Sequence, residues 1–155
     1  MLLSKRGALT LLIFFSLPLL HAQNQGNAGG AAGVADPVSL VGLTLDDLIR
    51  RFGAPRSVYA ARGLEQWQDD VVFVYDQGDF YVYKNRVWQA GFKAARGIKA
   101  GDSRAAVSMI LGSKAEGRGN SLFCSLDEQS WPLMMRCDFD KDGRVQMIYI
   151  YRSDF

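Results

Sequence analysis

What this sequence has little of sets the first limits. It contains one histidine, two cysteines and almost no surplus of charge, with 18 Lys and Arg against 16 Asp and Glu in 155 residues. Its one sustained apolar run, Ala8 to Leu20, is shorter than the ~20 residues that a spanning helix needs. Lys5 and Arg6 precede that run, Pro18 lies near its end and the small residue Ala22 follows, which is the layout of a secretory signal peptide over residues 1–22. Its removal takes away His21, the only imidazole, and with it Ser-His or Cys-His catalysis and any His-based zinc site. Losing Lys5 and Arg6 leaves 16 basic against 16 acidic residues, a neutral chain without the basic excess that nucleic acid or an anionic membrane would demand. No cysteine stands at the junction to carry a lipid, so no stable membrane anchor is expected after cleavage.

The two cysteines, Cys124 and Cys137, are separated by 12 residues. An exported chain meets oxidising conditions, so they are predicted to form one structural disulfide, worth about 3 kcal/mol in the chain-entropy model. The spacing is not the C-x-x-C of a redox pair. Residues 23–37, rich in Gly, Ala and Asn, cannot bury enough surface to offset the entropy of ordering, and read as a flexible leader to a folded domain at 38–155.

Within the folded domain a single phrase is written twice: GLTLDDLIRRFG at 42–53 and GDSRAAVSMILG at 101–112. In the first copy Leu45, Leu48, Ile49 and Phe52 recur on one helical face, Thr44 is placed to cap and Gly53 with Pro55 to stop. In the second, Ser103 caps a stripe of Ala106, Val107, Ile110 and Leu111, and Gly112 closes it. Each helix is too short to stand alone and must dock. The first is followed by β-rich runs at 71–75, 79–83 and 86–92, the second by runs at 121–126, 133–139 and 144–151, with turn residues between them. The predicted fold class is therefore α+β: two tandem repeats, about 38–94 and 95–155, each a short helix followed by an antiparallel β-meander, with the helices packed on one face of the sheet.

Gly, a hydroxyl cap, a short helix ending in Phe or Leu then Gly, and strands closing on FDKDGRVQMIYIY resemble the superfamily of β-lactamase inhibitory proteins and outer-membrane assembly lipoproteins of the BamE/SmpA/OmlA type. The resemblance spans most of Val38 to Tyr151 and implies tandem duplication and work by protein binding in the bacterial envelope. The chain departs from both branches. The acylated cysteine of the lipoproteins is missing, and only the second half holds a cysteine pair.

Strand alternation points Phe80, Val82, Ile148 and Ile150 inward and leaves Tyr81, Tyr83, Met147, Tyr149 and Tyr151 on the open face. Large amphipathic side chains of this kind suit an interface, although aromatics also serve simply to pair across strands. Aligning Arg86-Val87-Trp88 with Arg144-Val145-Gln146 assigns Trp88 to the core, and loop positions make Trp67 and Trp131 rim residues. Asp138, Asp140, Asp142 and Gly143 open like a calcium-binding EF-hand loop, but Tyr149 stands where the bidentate acid belongs, so a polar hairpin turn is expected and no metal site. The paired carboxylates Asp46-Asp47 and Asp69-Asp70 read as a helix first turn and a solvated turn. Together these point to an exported protein, periplasmic or secreted, without cofactor or catalytic residues. It would bind a protein partner as a module of the bacterial cell envelope; the alternative is a secreted inhibitor of an extracellular or periplasmic enzyme such as a β-lactamase or protease.

Overall fold

The computed structural model describes residues 36–62, 69–126 and 130–154; the expected signal peptide, most of the leader and Trp67 lie outside them. Asp36 caps a single 3-10 turn, Pro37–Leu40, whose Val38 and Leu40 are buried. The chain continues through α1 (Leu45–Phe52), β1 (Ser57–Ala61), β2 (Asp70–Val74), β3 (Asp79–Tyr83), β4 (Arg86–Phe92) and the short pair β5 (Ala94–Ala95) and β6 (Ile98–Lys99). Then come α2 (Arg104–Leu111), β7 (Glu116–Arg118), β8 (Ser121–Leu126), β9 (Leu133–Phe139) and β10 (Val145–Arg152).

The expected architecture of two helix-plus-meander repeats is corrected by the sheet. Among the described residues, eight strands form one antiparallel sheet in the order β1-β2-β3-β4-β10-β9-β8-β7, with only two helices of eight residues each. The seam is β4 against β10, where Ile148 faces Phe92, Tyr149 faces Gly91, Ile150 faces Ala90 and Tyr151 faces Gln89. A meander ending at β4 would leave a row of backbone donors and acceptors unpaired, and β10 satisfies them. Periodicity reports which face of a strand is apolar, but not which distant strand lies beside it.

The twice-written phrase has a local explanation that does not need separate repeats. Thr44 Oγ1 accepts from Asp47 N–H at 3.1 Å, and Ser103 Oγ from Ala106 N–H at 3.3 Å. Just upstream, Gly42 N–H donates to Val87 O, Val87 N–H to Leu43 O and Leu45 N–H to Asn85 O, at 2.7, 2.9 and 3.2 Å. At the second helix Gly101 N–H donates to Val145 O, Val145 N–H to Asp102 O and Arg104 N–H to Gly143 O, at 2.9, 2.9 and 3.0 Å. Each helix entrance is thus stitched to a hairpin turn by the same three bonds, and the glycines supply the positive φ, 96° and 90°, that the chain needs there.

One face of the sheet carries the core. Phe80, Ala90, Phe92, Met135, Cys137, Ile148 and Ile150 are buried there, beneath Leu48 of α1 and Val107 of α2. Phe52 stacks on Phe80 at 5.7 Å, and Tyr75 closes the cluster while donating its hydroxyl to Gly53 O at 3.1 Å. The predicted disulfide is not formed. In the β8–β9 register Leu122 faces Cys137 and Cys124 faces Met135, which leaves the cysteines diagonal to one another. Diagonal neighbours lie about 7–8 Å apart, beyond the reach of an unstrained bridge. Both stay buried thiols in the core, and burial pushes the Cys137 thiol up to about 11.

Trp88 is not a core residue in register with Ile148. A bulge sets Tyr81 against Gln89 and Val82 against Val87, so Trp88 is the extra residue between them. Gln146 occupies the matching irregularity in β10, between Val145 and Met147. The two segments align as the sequence suggests; the bulge changes the parity that alternation assumes.

Candidate functional site

The open face is built by cross-strand rows. One row runs Tyr59, Val72, Tyr81, Gln89, Tyr151, Met134, Ser125 across seven strands. The next brings Asp79, Gly91, Tyr149, Arg136 and Phe123 side by side. Of the expected site residues, Tyr81, Met147, Tyr149 and Tyr151 therefore meet. The Tyr81 and Tyr149 rings stand edge to face, 6.2 Å between centroids. Gly91 makes the contact possible: a Cβ there would lie 3.1 Å from Tyr149 Cε1 and 3.7 Å from Met147 Sδ. Beside Met147 a hollow of about 380 Å³ opens between Gly78, Asp79, Gly91 and Lys93.

Tyr83 and Trp131 stand apart from this cluster. Tyr83 ends β3 opposite Arg86, with Lys84 Nζ 5.0 Å from its ring centre. Trp131 packs against the hydrophobic core, with its ring beside Gly42 and Arg152 5.5 Å above it.

Arg136 is the residue that alternation did not single out. Its guanidinium lies 4.4 Å from the Tyr149 ring centre, an arrangement worth about 1 kcal/mol. Its Nε is 3.0 Å from Asp138 Oδ1, although that nitrogen makes no aligned hydrogen bond, so the contact is an ion pair held by charge. Asp138 Oδ1 also accepts from Ser121 Oγ at 2.6 Å. The signal was present in the sequence: Met134, Arg136 and Asp138 alternate with buried Met135, Cys137 and Phe139 along β9. A polar residue in an otherwise apolar strand marks the wet face.

The face is half-buried and this shows in its protonation. Burial, then the neighbouring Tyr149 and Tyr59, raises the Tyr81 phenol well above its ordinary range. Burial also raises Tyr151, against the pull of Arg136 and Arg118. Neutral phenols at ordinary pH donate as well as accept hydrogen bonds, which suits a polar partner surface.

The acidic candidates are accounted for by local bonds. Asp140 Oδ1 accepts from the N–H groups of Asp142 and Arg144, both at 2.9 Å, and so builds the hairpin turn, while Asp138 is turned to Ser121 and Arg136. Among the described residues no three metal-ligating side chains converge. Asp46 and Asp47 both pair with Arg50, at 3.1 and 2.6 Å, and the bonds from Thr44 and then Arg50 lower the Asp47 pKa. Asp69 pairs with Arg62 at 2.5 Å, and Asp70 accepts from Trp88 Nε1 at 2.9 Å. Burial raises the Asp70 carboxyl, the Trp88 bond lowers it and Asp69 raises it.

No family model and no curated protein matches the chain. The fold is similar to the crystal structure of an extracellular protein containing a SCP domain from Bacillus anthracis, with a TM-score of 0.51 and 13% identity. The alignment covers 81% of this chain but only 48% of that one, so the chain spans about half its length. At this identity the likeness is one of fold.

Proposed function

We propose that this chain is an exported, non-catalytic protein-binding module of the bacterial cell envelope, which holds its partner on the open sheet face. The observation that carries the reading is the cluster of Tyr81, Tyr149 and Tyr151 around Arg136 on the side of the sheet away from the helices. Tyr and Arg are the residues that anchor interfaces, because they bury large area while keeping polar tips. Export is supported by the sequence of residues 1–22. The fold neighbour is itself an extracellular protein.

The test is crosslinking in the native cell and pull-down from envelope extract, with wild type and with Tyr81, Tyr149 and Tyr151 changed together to Ala. A partner retained by wild type and lost by a folded triple variant is the expected result. Retention of every partner by that variant would refute the assignment of the face.

A further inference from the structure

One row of the open face rises and falls as it crosses the strands. Tyr59, Tyr81 and Tyr151 stand up from it, and between them lie Val72, fully buried, and Gln89, 8% exposed. Neighbouring strands sit about 4.8 Å apart, so the backbones that carry Tyr81 and Tyr151 are roughly 10 Å apart, with Gln89 as the floor between them. The row continues through Met134 and Ser125 and holds no charged side chain.

Among the described residues Gln89 is the only buried one with an amide or a charge, and its carboxamide has no hydrogen-bond partner among them. The side-chain polar atoms that are sealed off without a partner are Trp131 Nε1 and Arg136 Nε. The Gln89 amide is not sealed, so the part of this side chain that still reaches the surface includes its polar tip. Its neighbours are committed elsewhere: Trp88 Nε1 donates to Asp70 Oδ1 at 2.9 Å, and Arg136 Nε lies 3.0 Å from Asp138 Oδ1. Buried polar groups are nearly always paired within a fold, because withholding one from water costs more than an average pairing returns.

We propose that Gln89 sets the specificity of the open face: its carboxamide pairs, N–H to oxygen and oxygen to N–H, with an uncharged amide of the protein partner inserted between Tyr81 and Tyr151. The inference rests on the protein-binding reading of this face and names the chemistry that the face selects. A carboxamide presents a donor and an acceptor side by side, and another amide is the group that answers both. That amide can come from an Asn or Gln side chain, or from a residue of extended backbone, whose own N–H and C=O point to the same side. A charged group finds no counter-charge in the row, and an apolar one would seal the Gln89 amide away unpaired.

The first arm of the test needs no partner. In a nitrogen–proton correlation spectrum of the labelled exported protein, the Gln89 side-chain NH2 pair is identified by its disappearance in Gln89→Met. Propionamide stands in for the side-chain source and N-methylacetamide for the backbone source. Each is titrated to about 0.5 M, because ligands of so few atoms bind weakly. The Gln89 pair should shift and saturate with one or both, the active probe identifying the source, while the exposed Gln77, Asn85 and Gln146 pairs do not saturate. Methyl acetate, equal in size but without N–H, should give no saturating shift.

Gln89→Met, close to Gln in length, should hold or raise the melting temperature because it removes an unpaired polar group; a Gln kept for internal structure would lower it. In the envelope pull-down the same variant should bind the partner at least about tenfold more weakly. Loss of the partner by the triple Tyr variant with full retention by Gln89→Met overturns this inference and leaves the face as the binding surface. Retention by both overturns the reading of the face itself. Without saturation by either amide, with methyl acetate acting equally, or with a lowered melting temperature, the proposal also falls.

Discussion

Gly78 is where a single methyl group should do the most damage. It lies in the tight connection between β2 and β3, where Tyr75 N–H donates to Gly78 O at 3.0 Å and Gly78 N–H to Tyr75 O at 3.3 Å. Its φ is +157°, and a Cβ there would lie well inside 3.0 Å of the Gly91 carbonyl oxygen while touching Phe92 Cδ1 at 3.0 Å and Cε1 at 3.2 Å. A backbone oxygen in the β4 ladder cannot rotate away, so Gly78→Ala must shift β3 relative to β4 or abandon the turn. Overpacking of this kind costs about 1–3 kcal/mol and an unfavourable φ about 1–2 more. For a folded domain of this size the sum corresponds to a fall in melting temperature of roughly 10–20 °C. Gly53→Ala is the control. Its φ of +76° is also unfavourable to a side chain, but nothing lies within 4 Å, so it should cost only about 1 kcal/mol. Thermal melts of the two variants, followed by circular dichroism, separate collision from conformation. Equal losses would show that the approach of Gly91 plays no role.

Three other outcomes are expected. Thr44→Ala removes the cap on α1 and should cost about 1 kcal/mol in urea unfolding, with Thr44→Ser restoring most of it. Alkylation under denaturing, non-reducing conditions should add two labels per chain, one each at Cys124 and Cys137, while the native protein takes up none because both thiols are buried; recovery of an unlabelled denatured chain by intact mass would contradict the register of β8 and β9. The Tyr81 phenol has a higher pKa folded than unfolded, so its share of stability is complete below the unfolded value of about 10 and is lost as pH rises beyond it. Urea midpoints measured on either side of that pH should fall for wild type and fall less for Tyr81→Phe.

Much of the local structure was legible in residue types. Thr44, Gly53, Ser103 and Gly112 mark the helix ends because each satisfies a backbone group or a φ that few residues can. Alternation puts Tyr81, Tyr149 and Tyr151 on the face they occupy because β10 has no irregularity between Tyr149 and Tyr151, and the bulge beside Tyr81 places its extra residue in β4, leaving β3 in phase. The same argument failed at Trp88, where one inserted residue reverses every assignment before it. The meeting of β4 with β10 was not legible, since it links positions more than fifty residues apart through backbone groups that every sequence carries. The disulfide failed for a related reason: thirteen positions of separation permit a bridge, but a shift of two along the ladder denies it. Arg136 was not legible from aromatic content, because a run of rings does not say which cation is fixed over one of them.

The seam between β4 and β10 also dictates an order of events. The strand that completes the centre of the sheet, β10, follows every other described strand, so a polypeptide delivered from its N-terminus holds β4 paired with β3 alone until residues 148–151 arrive. Closure of the sheet waits for β10, and a product cut short before Val145 leaves the free side of β4 open for any passing strand to fill.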